Sequence, residues 1–373
     1  MVAIWLYCIA FMILVMVALG GATRLTGSGL SIMEWAPVSG AVPPWTEAEW
    51  HRLYALYQRI PQYSLVNDGF GLDGFRRIFW LEWIHRFWGR LTGLAFVLPL
   101  LWFWLTDRLD RRLAPKLALF LVLGGLQGAV GWFMVASGFF PDATVVAPVR
   151  LVAHLALALI LYGAVLWTAL TLLPPGPRVV DPAHALGAFT WATLALVALT
   201  IVAGGFVAGL HAGLTYNTFP LMDGRLVPEG YADMHPFGAN LIANIPTVQF
   251  NHRVLATLTL LVSFGLVAAG WPHRRRLGWR LALVGGAAAT QFMLGVATLL
   301  LVVPASLAAM HQIGATILLT SVVLVADAVR FTAPVPLRVF HREGHGQTVR
   351  GTPFHGPTDP TTAARPAAKD PEA

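Results

Sequence analysis

Charged residues and cysteine are both scarce in this chain of 373 residues. Asp, Glu, Lys and Arg make up 12% of the sequence, about half the share of a soluble domain, so a soluble globular fold is excluded. The single cysteine, Cys8, cannot form an internal disulfide or a cysteine-based metal site. Basic residues outnumber acidic ones, 25 to 18, but they cluster in short connections and near the C-terminus, which argues against a nucleic-acid-binding surface.

Long apolar runs are abundant, since 57% of the residues are hydrophobic. Several runs reach about 20 residues, the length that an α-helix needs to cross a bilayer. We therefore predict an all-α polytopic membrane protein. Its eight predicted transmembrane helices are residues 2–21, 80–105, 116–136, 149–173, 185–209, 248–270, 280–303 and 305–329. The first run has no basic segment before it and no clear cleavage site after it, so we expect it to be retained as a span.

The charge pattern predicts how the chain is oriented. An even number of spans places both termini on one side, and the Arg-rich connections at 107–112 and 273–276 face that side. The positive-inside rule assigns it to the cytoplasm, so the long loops 22–79 and 210–247 are expected in the periplasm and the protein in the cell inner membrane. The segment 334–373 is rich in Pro, Thr and Ala without apolar periodicity, and we expect a disordered cytoplasmic tail.

The two halves of the chain resemble each other. GGATRLTGSGL at 20–30 aligns without gaps to GGFVAGLHAGL at 204–214, IHRFWGRLTGL aligns with NHRVLATLTLL, and VAHLALALI aligns with AMHQIGATI. We predict two tandem four-helix bundles, residues 1–180 and 181–333. Because each copy holds an even number of spans, a pseudo-two-fold axis along the membrane normal should relate them.

Histidines at matching places in both halves are the candidate binding residues: His85, His154, His252 and His311. Each lies at the start of an even-numbered span, so all are expected near the outer leaflet. A lone histidine there is usually a hydrogen-bonded interfacial residue, but ionisable groups within membranes tend to be functional. Paired imidazoles between apolar helices suit haem iron, whereas zinc would find only two histidines per bundle. Small residues that would admit a flat macrocycle follow three of them: Gly89, Gly163 and Gly314.

A carboxylate distinguishes the two halves. Glu82 precedes His85 by three residues on the same helix face, whereas Gln249 takes that place before His252. The two pockets should therefore differ in chemistry, one reactive and the other an electron carrier. A carboxylate at this place could stabilise a developing positive charge or accept a proton from water. The structural alternative is an ion pair with Arg86, four residues along the helix.

Together these motifs resemble the haem A synthases, membrane enzymes that convert haem O to haem A for cytochrome oxidase. The resemblance covers about residues 1–330. It lies in GGATRLTGSGLSIMEWAPVSGAVPP (20–44), FWLEWIHRFWGRLTG (79–93), AHLALALI (153–160), HAGLTYNTFPLMDG (211–224), NHRVLATLT (251–259) and MHQIGAT (310–316). It implies an oxidoreductase that oxidises a methyl group of haem O to a formyl group by successive hydroxylations.

The resemblance also implies a role for each half. Haem O would bind as substrate in the N-terminal half, with His85 and His154 as axial ligands and Glu82 as the catalytic residue. A permanent haem b would lie in the C-terminal half, between His252 and His311.

Implied partners are haem O and haem A, the lipid bilayer, a haem O synthase and an electron acceptor that the sequence does not identify. The sequence is also compatible with a homo-oligomer, and no nucleic acid is expected as a partner. A di-haem b-type membrane electron-transfer protein is the alternative function, because it too would show four intramembrane histidines. A transporter built from parallel repeats is the non-enzyme alternative.

Overall fold

The computed structural model describes residues 1–173 and 185–330. The predicted boundary between the halves near residue 180 and the predicted tail at 334–373 lie outside the described residues.

Eight helices in the described ranges are long and apolar enough to cross a membrane, which confirms the predicted all-α membrane fold. They are α1 (Val2–Leu25), α4 (Gly71–Leu105), α5 (Ala114–Ala136), α6 (Pro148–Thr171), α7 (Ala185–Gly209), α8 (Ile245–Gly270), α10 (Trp279–Leu300) and α11 (Ala305–Val329). Shorter helices occur outside these spans: α2 (Glu47–Tyr57), α3 (Pro61–Val66) and α9 (Arg274–Leu277).

The helix α4 begins nine residues before the predicted span at 80–105. Charged side chains at 73, 76 and 77 interrupt the apolar run, so hydropathy alone placed the start too late. The extra turns bury Phe75 and Phe79 against Trp50 and Tyr57 of α2. These aromatic rings pack at centroid distances of 4.9–6.3 Å and give the segment 22–79 an apolar core of its own. This segment, predicted as a loop, is therefore a small folded unit at the N-terminal end of α4. We call it the first outer loop, and the segment 210–247 the second outer loop, after the side of the membrane predicted for them.

The four long helices of each half form a ring of neighbours. In the N-terminal half α1 packs on α4, α4 on α5, α5 on α6, and α6 on α1. In the C-terminal half α7, α8, α10 and α11 pack in the same order. Two helices of each ring carry the predicted histidines, α4 and α6 in the first and α8 and α11 in the second. They lie diagonally opposite each other, so a bundle interior separates the two imidazoles of each half.

The two rings adjoin through α1 and α6 of one half and α7 and α11 of the other. By position in its half, α1 corresponds to α7 and α6 corresponds to α11. The contact of α1 with α11 is therefore equivalent to the contact of α7 with α6, and both contacts occur. The interface is apolar, with Val165 and Val322 fully buried. A hydrogen bond of 2.6 Å between Tyr162 Oη and Thr320 Oγ1 joins α6 to α11 within it.

Candidate functional site

Each imidazole of the N-terminal half packs against a glycine of a neighbouring helix. A Cβ placed on Gly20 of α1 would lie 3.2 Å from Nε2 of His85, and one on Gly131 of α5 would lie 2.8 Å from Cε1 of His154. The second distance is shorter than real Cβ contacts allow, so only glycine lets the His154 ring occupy this position.

The C-terminal half repeats this arrangement. A Cβ on Gly204 of α7 would lie 2.9 Å from Cε1 of His252, and one on Gly295 of α10 would lie 2.8 Å from Cε1 of His311. The glycines that face the imidazoles thus differ from those singled out in the sequence. Gly89 faces Met16 and Gly314 faces the Gln291 and Leu294 side chains, whereas Gly163 faces open space.

The structure brings the histidines together in the predicted pairs. The imidazoles of His85 and His154 lie within electrostatic range of each other, and so do those of His252 and His311. Nδ1 of His252 is buried and has no hydrogen-bond partner among the described residues. Two imidazoles on diagonal helices of one bundle, close enough to interact electrostatically, are a donor set that suits haem iron.

A glutamine holds the second histidine of each pair, and the sequence analysis did not identify either glutamine. Nε2 of Gln127 lies 3.2 Å from Nδ1 of His154 and donates to the His154 carbonyl at 3.0 Å. Gln291 places its Nε2 3.0 Å and its backbone carbonyl 3.2 Å from Nδ1 of His311. At His311 the backbone carbonyl of Gln291 accepts from a protonated Nδ1, and this tautomer leaves the Nε2 lone pair for a metal. The side-chain NH₂ of Gln291 is a donor, so in this tautomer it lies beside Nδ1 without bonding to it. The only sequence signal was the spacing Gln-x-x-x-Gly, which occurs in α5 and again in α10.

Glu82 lies buried on α4, and both of its carboxylate oxygens are engaged. Oε2 accepts from the backbone N–H of Ser31 at 2.7 Å, from the Ser31 hydroxyl at 2.7 Å and from the backbone N–H of Ile32 at 3.0 Å. Oε1 accepts from Nε and Nη2 of Arg86 at 3.0 and 2.6 Å. The ion pair with Arg86, which the sequence offered as the structural alternative to a catalytic role, is present. The carboxylate therefore fixes the first outer loop to α4.

Gln249 makes the opposite set of contacts in the C-terminal half. Its Nε2 donates to the carbonyls of Ala212 and Thr215, both at 2.6 Å, and its Oε1 accepts from Nη2 of Arg253 at 2.9 Å. Where the first outer loop turns N–H groups towards an acid, the second turns carbonyls towards an amide. The backbone of each loop is thus matched to the side chain beneath it, and neither residue could replace the other without leaving polar groups unpaired.

Arg86 and Arg253, which directly follow His85 and His252, make equivalent hydrogen bonds. Each donates through Nη2 and Nη1 to two backbone carbonyls of its own outer loop, at 2.6–2.8 Å. The acceptors are Ile32 and Glu34 for Arg86, and Tyr216 and Thr218 for Arg253. The gap-free alignment of the loops pairs these acceptors with each other. The same arrangement of loop, arginine and histidine helix therefore occurs in both halves, and the two copies differ in having Glu82 in one and Gln249 in the other.

Known proteins resemble the chain over most of its length. A sequence model of the cytochrome oxidase assembly protein family (COX15-CtaA) matches residues 3–323. The chain is 58% identical over 335 residues to the heme A synthase of Granulibacter bethesdensis, covering 88% of this chain and 87% of that protein. It is 47% identical over 319 residues to the heme A synthase of Rhodospirillum centenum, with 85% of each chain covered. It is 45% identical over 335 residues to that of Nitrosospira multiformis, with 88% and 93% covered.

Proposed function

The chain belongs to the cytochrome oxidase assembly protein (COX15-CtaA) family, and we propose that it acts as a haem A synthase with a different task for each half. The N-terminal half binds haem O as substrate between His85 and His154, and the C-terminal half keeps a permanent haem b between His252 and His311. The observation that carries this division is the duplicated framework in which Glu82 of one half is replaced by Gln249 of the other. The enzyme is an oxidoreductase of haem A biosynthesis embedded in a membrane.

The residues of the C-terminal half fit a resident haem b. Two imidazoles on diagonal helices would ligate the iron, and the backbone carbonyl of Gln291 would hold that of His311 in the tautomer that presents Nε2. Gly204 and Gly295 hold the helix backbones close behind the rings. When bound, the haem would supply one-electron redox chemistry for electrons leaving the N-terminal half.

Looser helix packing supports the assignment of the substrate to the N-terminal half. The contact of α4 with α5 is less extensive than that of α8 with α10, and a Cβ on Gly128, an exposed residue of α5, would meet no neighbouring atom within 4 Å. The spacing from the paired glutamines places Phe292 at the equivalent point of α10, where its ring packs at 6.0 Å on Phe219 of the second outer loop. A substrate must enter and leave, whereas a permanent cofactor must be retained. The open half suits the first requirement and the closed half the second.

Glu82 is the catalytic residue in this proposal. Each hydroxylation of the haem O methyl group replaces a C–H bond with a C–O bond to water, and it releases two protons to solvent and two electrons through the C-terminal half to the electron acceptor. Positive charge builds at the carbon that water attacks. Because each oxygen of Glu82 already accepts at least two hydrogen bonds, its contacts favour a fixed negative charge over a proton acceptor. Arg86 and the N–H groups of the loop hold that charge in place.

The orientation in the membrane follows from charge. We propose that the halves are related by a pseudo-two-fold axis along the membrane normal, which the equivalent contacts between them support. The Arg-rich connections 106–113 and 271–278 would then share the cytoplasmic side of the inner membrane with both termini. The outer loops, which cover the histidine ends of the helices, would face the periplasm. A haem O synthase, an electron acceptor and further copies of the chain are the proposed partners.

Pigment analysis of the purified full-length chain tests the proposal. We expect extracted haem B together with haem O or haem A, and conversion of added haem O to haem A by membranes that contain the protein. Two equivalents of haem B without conversion would favour the di-haem electron carrier. Absence of any visible absorbance would favour a transporter.

A further inference from the structure

A cavity of about 190 Å³ lies outside the histidine sites, between the first outer loop, α2 and the outer part of α4. Its α4 wall contains Trp83, Arg86 and Arg90, and Arg52 of α2 lines it from the other side. The cavity is far too small for a porphyrin, but it has room for a carboxylate or phosphate group.

Two N–H donors on the α4 wall lack partners. Trp83 Nε1 and Arg90 Nη1 are both buried, and neither has a hydrogen-bond acceptor in the described part of the chain. The other nitrogens of Arg90 are occupied, because Nε donates to the carbonyl of Pro37 and Nη2 to that of Ala36, each at 2.9 Å. A buried donor without a partner is costly, so an acceptor oxygen that reached either group from the cavity would remove that cost.

The charge of Arg90 is also uncompensated. Arg52 pairs with Glu34 through two bonds of 2.8 and 3.1 Å, and Arg86 pairs with the buried carboxylate of α4. The bond from Arg52 lowers the pKa of the Glu34 carboxyl, which therefore stays ionised and engaged. No carboxylate lies within ion-pair distance of Arg90 among the described residues; Glu49 lines the same cavity but is exposed to water.

The other half of the molecule lacks both donors. The alignment that pairs His85 with His252 places Phe250 opposite Trp83 and Thr257 opposite Arg90. The indole N–H and the guanidinium are therefore particular to the N-terminal half, the half proposed to recognise a substrate.

We propose that this cavity binds an anionic oxygen group through Arg90 and Trp83. The anionic group is either a propionate of the substrate, an assignment that rests on the proposed function, or the phosphate of a phospholipid headgroup on the periplasmic surface of the inner membrane. Charge-assisted bonds from a guanidinium and a bond from the indole N–H would hold the group. Gly40 keeps the site open, because a Cβ there would lie 2.8 Å from Nη2 of Arg90.

Binding of haem O and of its dimethyl ester, which lacks the propionate charges, tests the proposal. Both are titrated by absorbance into the purified full-length chain, and bound phospholipid is quantified by mass spectrometry. The variants Arg90→Thr and Trp83→Phe introduce the residues of the C-terminal half, and Arg77→Thr removes the same charge from the exposed face of α4 as a control.

If a propionate occupies the cavity, haem O binds the wild type about 10- to 100-fold more tightly than the ester, the range for a hydrogen bond to a charged group. Arg90→Thr removes this difference, Trp83→Phe reduces it about two- to tenfold, and Arg77→Thr keeps it. If a lipid phosphate occupies it, Arg90→Thr loses bound phospholipid while haem O and its ester bind alike. The proposal is overturned if Arg90→Thr changes neither quantity while the absorbance of the resident haem stays native. Failure of haem O to bind the wild type would instead refute the proposed function, and the phospholipid measurement would still decide the occupant.

Discussion

Replacing Glu82 with Gln separates its chemical role from its structural one. The substitution keeps the shape and removes the charge, but the surroundings of Glu82 are donors only, namely two backbone N–H groups, one hydroxyl and Arg86. Whichever way the new amide is turned, its NH₂ group must therefore face other hydrogen-bond donors. Breaking a buried ion pair by removing one partner costs about 3–5 kcal/mol. Because Arg86 keeps its bonds to the carbonyls of Ile32 and Glu34, we expect the lower end, about 3 kcal/mol, felt mainly in the first outer loop.

The expected functional loss is larger than this stability loss would explain. Removing a fixed charge that stabilises a charged transition state slows a reaction about 100- to 1000-fold, so Glu82→Gln should form haem A at least about 100-fold more slowly. The assay is extraction and chromatography of haems from membranes supplied with haem O. The resident haem of the C-terminal half should keep its spectrum, since Gln249 and its loop are untouched.

Arg86→Gln is the matched control, because it breaks the same ion pair and leaves the carboxylate. If the charge itself is needed, this variant stays faster than Glu82→Gln despite similar damage to the loop. Equal rates in the two variants would assign Glu82 a purely structural role, and a normal rate of haem A formation in Glu82→Gln would refute the reasoning altogether.

Three further predictions concern the haem sites. His252→Ala should abolish the low-spin absorbance of the resident haem, whereas His154→Ala should leave that absorbance in place and stop haem A formation. The reverse pattern in optical spectra would show that the roles assigned to the two halves must be exchanged. Gln291→Leu keeps the backbone carbonyl at Nδ1 of His311 and removes the side-chain amide that lies 3.0 Å from it; the loss of this positioning contact should weaken haem binding at most about tenfold, the lower end for partners of a metal-ligating histidine, measurable as haem transfer to apomyoglobin. Gly128→Phe places in α5 the ring that Phe292 supplies in α10; if haem O enters beside α5, this ring should obstruct it and weaken haem O binding about tenfold without loss of resident haem, and unchanged titrations would exclude this face of α5 as the way in.

Local sequence determined the membrane fold. Apolar runs of spanning length predict helices wherever they occur, because an unpaired backbone is intolerable in lipid, and all eight runs form helices. The start of α4 was the exception. The residues Phe75, Ile78 and Phe79 have helical spacing, but the charges between them hide it from a hydropathy average, and their burial depends on contacts with the distant α2.

Part of the site could also be predicted. The histidine pairs and the difference between Glu82 and Gln249 were visible because a duplicated chain can be compared with itself. The ion pair of Glu82 with Arg86 followed from helix spacing alone.

The partners of these residues were decided only by the tertiary structure. Which glycine faces an imidazole depends on how neighbouring helices rotate and cross, so Gly131 and Gly295 did not stand out among 36 glycines. The same holds for Gln291 at His311, for the opposite backbone polarity of the two outer loops, and for the unpaired donors of Trp83 and Arg90. A side chain's type is local, but whether its polar atoms find partners is a property of the surfaces that meet around it, and those surfaces come from elements up to 295 residues apart in the chain.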